Sequence, residues 1–98
     1  MERRTHLLTV FELSNRANHE FYVGATDVDF SEFISRTKTA PPPELSGWKL
    51  DRDVYFRSLA FGMQPREAAT FVREYSRSLA AHEHARVIVS QVSLSGPA

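Results

Sequence analysis

Tyr22 is the first residue of this chain with chemistry to account for. The run Phe21-Tyr22-Val23-Gly24 sets a phenol near the end of a strand-like segment. There it can transfer a proton or contact a phosphate oxygen. An isolated tyrosine in such a place is more commonly a half-buried core residue with a wet hydroxyl. Arg66, Arg73 and Arg77 fall on one face of a long helical segment and form a candidate anion-binding stripe for nucleic acid. Glu67 and Glu74 are interspersed, the usual pattern of a solvated helix face. His82 and His84 stand two apart. On a strand they would share a face and suit a metal; on a helix they diverge, and a histidine at a helix end complements the dipole. His19 and Glu20, next to Tyr22, read as a surface pair beside a turn. No glycine-rich phosphate loop, nucleophile elbow or zinc motif is present.

Composition narrows the class. With no cysteine in the chain, disulfides, thiolate nucleophiles and cysteine zinc sites are excluded. Ninety-eight residues suffice for one domain with one modest core. The eleven aromatic residues can supply much of that core. Twelve basic residues balance twelve acidic ones, without the basic excess of a dedicated DNA-binding domain. Ten of the twelve are arginine, suited to bidentate pairing and stacking. Met1-Glu2-Arg3-Arg4 precedes no apolar run of signal-peptide length. No segment has the length of a membrane span, so no membrane association and a cytoplasmic location are expected.

The elements that position these residues follow from patterning. Leu7–Leu13 reads as an interior strand, with apolar residues on both faces. Ser14–Asn18 is a polar turn. Phe21–Val23 returns antiparallel, and Gly24 is expected to end that strand. Asp29 and Glu32 have capping-box spacing before a helical stripe of Phe30, Phe33 and Ile34. Pro41-Pro42-Pro43 forbids continuation beyond about Thr39 and favours an extended connection. Trp48, after the Ser46-Gly47 turn, is expected to pin that connection to the core. Val54–Phe61 reads as a third strand, ended by Gly62. Ala68, Phe71, Val72, Tyr75 and Leu79 mark an amphipathic helix that opens at Pro65. Arg86–Val92 reads as a last strand at a sheet edge, and 93–98 as a flexible tail. The expectation is a single α+β domain over 1–98, with β-β-α-β-α-β order and a small, mainly antiparallel sheet flanked by helices.

This arrangement resembles the GIY-YIG nuclease superfamily. Leu8-Thr9-Val10 lies where the family's first name motif falls, and Tyr22-Val23-Gly24 matches its second. Ala25-Thr26 and the Phe30–Thr37 helix follow as in that family. So do Trp48, the third strand and the helix opening Gln64-Pro65-Arg66-Glu67-Ala68-Ala69. The resemblance covers about Leu7 to Leu79, and implies a metal-dependent phosphodiesterase. The departures are specific. Val10 stands near the first-motif tyrosine position, Glu32 at that of the catalytic arginine, and Val72 at that of the metal-binding glutamate. Valine cannot hold magnesium, and a glutamate repels phosphate.

The leading expectation is therefore a non-catalytic GIY-YIG-like domain that binds a protein partner or itself, with no cofactor. One alternative is a divergent endonuclease using Tyr22 with relocated Arg36 or Arg57 and Glu32, which alone would call for Mg or Mn. The other is a nucleic-acid binder without chemistry, using Arg66, Arg73 and Arg77.

Overall fold

The computed structural model describes residues 7–90; the expected tail at 93–98 and the N-terminal Met1–Arg4 lie outside them. Strands β1 (Leu8–Asn15) and β2 (Glu20–Thr26) precede helix α1 (Phe30–Thr39). A 3₁₀ turn at Pro43–Leu45 leads to β3 (Val54–Met63), helix α2 (Pro65–Glu83) and β4 (Arg86–Val89). The domain is α+β, with a four-stranded sheet and two helices. No helix among the described residues is long and apolar enough to cross a membrane.

The sheet order is β3-β1-β2-β4. β1 runs antiparallel to both β2 and β3, but β4 pairs parallel with β2. The sheet is thus mixed, where a mainly antiparallel one was expected. The reason lies in α2. A helix returns the chain to the end at which the preceding strand began, so β4 runs in the direction of β3. Since β2 shares that direction, β4 meets it in parallel after crossing over two strands.

Alternation along β1 supplies both layers. Leu8 and Val10 join Val23, Ala25, Ala68 and Val72 beneath α2. Phe11 and Leu13 join Tyr22, Leu45, Leu50 and Val54 on the opposite face, where Phe33 of α1 and Trp48 also pack. The strand is covered on both sides, as an interior strand should be. Asp29 caps α1, its carboxylate accepting from Ser31 N–H at 3.1 Å. Glu32 pairs with Arg36 on the next turn. At α2 the N-terminal Gln64 N–H donates to the Glu67 carboxylate at 3.1 Å.

Two glycines expected to end strands lie inside them instead. A Cβ on Gly24 would stand 2.7 Å from Ser90 Cβ and 2.9 Å from Phe11 Cζ. Its bareness lets the Phe11 ring and the end of β4 close against β2. Gly62, at φ 65°, sits where two β3 residues, Phe61 and Gly62, oppose the single Thr9 of β1, between the pairs Val10–Ala60 and Leu8–Met63. A second irregularity separates Val10–Ala60 from Phe11–Ser58. β3 is therefore regular over Val54–Ser58 and bulged beyond it. Within the triple proline Pro42 is extended, and Pro43 opens the 3₁₀ turn whose Leu45 is buried.

Candidate functional site

Tyr22 faces the α1 side of the sheet, opposite Leu13 in the register. The residue is only 4 % exposed. Burial raises the pKa of its hydroxyl, against a hydrogen bond with Ser90 that lowers it and the nearby Glu44 charge that raises it. The phenol stays protonated at neutral pH and is poorly placed to act as a base.

Glu32 and Arg36 lie on α1, along a groove of 590 Å3 that also reaches Thr26, Phe33 and Thr37. Their side chains form an i,i+4 ion pair, each at least half exposed. Each charge is answered by the other, which leaves the groove without a net charge from this pair.

Arg57 belongs to the opposite face. It pairs across the ladder with Glu12, on the side that α2 covers. There a cluster forms that the sequence reading did not single out. The Glu12 side chain is 10 % exposed and lies 3.6 Å from Arg57 Nη2. The Tyr75 hydroxyl donates to Glu12 Oε1 and accepts from Arg57 Nη2 at 3.2 Å. Burial, then the hydrogen bond and charge of Glu12, raise the Tyr75 pKa, while Arg57 opposes the rise. A carboxylate in the middle of a central strand requires such partners. One signal was available: Glu12 continues the Leu8, Val10 alternation, so it had to point at the α2 core. Its partners were not legible, because Tyr75 follows Glu12 by 63 residues.

Chemically, the cluster is a satisfied carboxylate–phenol–guanidinium set. The tyrosine proton is committed to Glu12, and the arginine charge is shared between both partners. The set holds α2 to β1 and β3.

A third polar group closes the hairpin end. Glu20 accepts from Trp48 Nε1 at 3.1 Å, Asn18 Nδ2 at 3.0 Å and Arg86 Nη1 at 3.2 Å. Trp48 is thus the anchor its position suggested, and Glu20 ties the connection to β4 as well. His19, at φ 57°, lies with Nε2 3.1 Å from the Glu83 carbonyl oxygen. His84 takes the left-handed conformation that ends α2. Among the described residues, no group of three or more His, Cys, Asp or Glu side chains could hold a metal ion.

Arg66, Arg73 and Arg77 are exposed along α2, opposite its buried Ala68, Val72 and Ser76. Arg36, Arg57 and Arg86 each meet a carboxylate. The three stripe arginines pair with no acidic side chain of the described residues.

The structure thus separates the groups singled out in the sequence. Tyr22 is buried on one sheet face, Glu32 and Arg36 neutralise each other in an open groove, and Arg57 is engaged on the other face. Compared with known proteins, the chain matches no family model, no curated protein and no solved structure.

Proposed function

We propose that this chain is a non-catalytic, GIY-YIG-like domain that acts by binding, to a protein partner or to a second copy. The observation that carries this reading is the dispersal of Tyr22, Arg57 and the Glu32–Arg36 pair over separate environments. Phosphodiester cleavage needs a proton acceptor, a cationic group and a carboxylate-held metal converging on one phosphate. Here the phenol is buried with a raised pKa, and Arg36 and Arg57 are each matched by a glutamate. Val72, where the resemblance puts the metal-binding glutamate, is 4 % exposed in the α2 core. The test is a nuclease assay on linear and branched DNA with magnesium or manganese. No cleavage above background is expected. Robust cleavage that disappears in Tyr22→Phe would overturn the reading and restore the relocated nuclease site.

The exposed stripe on α2 favours a second reading, binding to nucleic acid without chemistry. Arg66 and Arg77 are about 16 Å apart along the helix axis, enough to follow several phosphates of one strand. Three phosphate contacts to duplex DNA would give a log–log salt slope of about −2.7. Replacing all three arginines by glutamate should abolish that slope. Absence of binding at low salt would dispose of this reading and leave the first intact.

A further inference from the structure

Among the described residues β3 is an edge strand, and its outer side carries a self-complementary pattern. The Arg16 N–H donates to the Asp53 carbonyl at 2.9 Å. That bond fixes which backbone groups of β3 face β1. In an antiparallel ladder the N–H and C=O of one residue point the same way, and alternate residues point oppositely. Asp53, Tyr55 and Arg57 therefore turn their backbone groups toward β1. Val54, Phe56 and Ser58 turn theirs away from it, along the edge that no described strand pairs. These three lie in the regular part of the strand, before the register shift between Phe11–Ser58 and Val10–Ala60.

We infer that β3 pairs antiparallel with β3 of a second copy about a two-fold axis at Phe56, which joins two four-stranded sheets into one. This rests on the interaction reading above and chooses its partner. Phe56 then faces Phe56, and Val54 faces Ser58 on either side. All three pairs use outward backbone groups, so each exchanges two hydrogen bonds. Between them, Tyr55 of one copy stands directly opposite Arg57 of the other, and the symmetry repeats that contact. These are the close, non-hydrogen-bonded positions of the ladder, where cross-strand side chains interact most strongly. An arginine against a tyrosine ring is a favourable pairing there.

The exposed groups agree with this geometry. Tyr55 is 57 % exposed and the Arg57 side chain 64 %, although Tyr75 of α2 reaches Arg57 from one side. Within its own chain Tyr55 already holds an arginine, with Arg16 Cζ 5.0 Å from the ring centroid. The ring has a second face. The bulges limit the contact to Val54–Ser58, since a bulged edge twists away from a straight partner. They set both the register and the small size of the interface. The dimer is accordingly weak and concentration-dependent. Lys38 Nζ lies 5.6 Å from the Phe56 ring centroid, so the symmetry brings two lysines toward the axis and weakens it further.

Sedimentation of the full chain over about two decades of concentration tests this. A monomer–dimer equilibrium is expected. Tyr55→Lys places a like charge against Arg57 twice, and should weaken the dimer about tenfold. Tyr55→Glu places an opposite charge there, and should preserve or tighten it. Ser58→Pro removes an outward N–H that β1 does not use, and should abolish pairing while circular dichroism stays unchanged. Should Ser58→Pro unfold the protein, the opposite responses of the two Tyr55 variants still decide. A wild type that remains monomeric throughout overturns the inference, as does a dimer indifferent to the Tyr55 charge. Neither result touches the nuclease assay, which alone tests the non-catalytic reading.

Discussion

At Tyr75 one hydroxyl joins a helix to the centre of a sheet, and its removal should be costly. Tyr75→Phe leaves Glu12, nearly buried, with Arg57 as its partner. A buried acceptor that loses a donor costs about 1–3 kcal/mol, readable as a lower urea midpoint with an unchanged slope. Gly24→Ala acts by a different route. The added methyl meets Ser90 Cβ at 2.7 Å and the Phe11 ring at 2.9 Å, and overpacking of that kind costs about 1–3 kcal/mol. Alkaline pH separates the tyrosines from the rest. Tyr22 and Tyr75 both have raised pKa values in the fold. Above about pH 10 the unfolded chain therefore ionises first, and the fold retains protons that the unfolded chain has lost. The tyrosine contribution to stability is constant below that pH and falls as pH rises toward the folded-state values. Unfolding free energies measured across this window should fall less steeply in Tyr22→Phe and in Tyr75→Phe than in the wild type.

β4 shows how an element this short is kept in place. It has four residues, with Arg86 tied to Glu20 at its start and Ser90 N–H bonded to the Val23 carbonyl at 2.8 Å past its end. Glu20→Ala removes the first tie and also releases Trp48. Amide exchange should then accelerate in β4 and around Trp48, with β1 little changed; uniform acceleration across the sheet would contradict this. Local patterns made most elements legible. A β-branched, apolar run located β1, Asp29 and the proline run bounded α1, and Pro65 opened α2. The misreadings arose where tertiary contact set the outcome. Gly24 looked like a strand end because its reason for being glycine, Phe11 and Ser90 pressed against it, comes from distant sequence. Gly62 looked the same because a bulge is defined only by the partner strand. The candidate site was less legible still. Tyr22, Arg36, Glu32 and Arg57 were named by type and spacing, but strand alternation alone separates Arg57, opposite Glu12, from Tyr22, opposite Leu13.

On the scale of the whole molecule, the parallel pairing of β2 with β4 bears on how the chain reaches this state. Glu20 and Arg86 are separated by 66 residues, whereas β1 and β2 are joined by a tight turn. Contacts between distant residues form late, because loop closure costs entropy before they return any free energy. The β1–β2 hairpin and β3 can assemble while β4 is still being synthesised. Throughout that interval the hydrogen-bonding edge of β2 lies open, flanked by Phe21 and Val23. A nascent chain halted before Val89 would therefore be the most aggregation-prone form of this protein. β4, the last strand of the described residues, is the one that closes that edge.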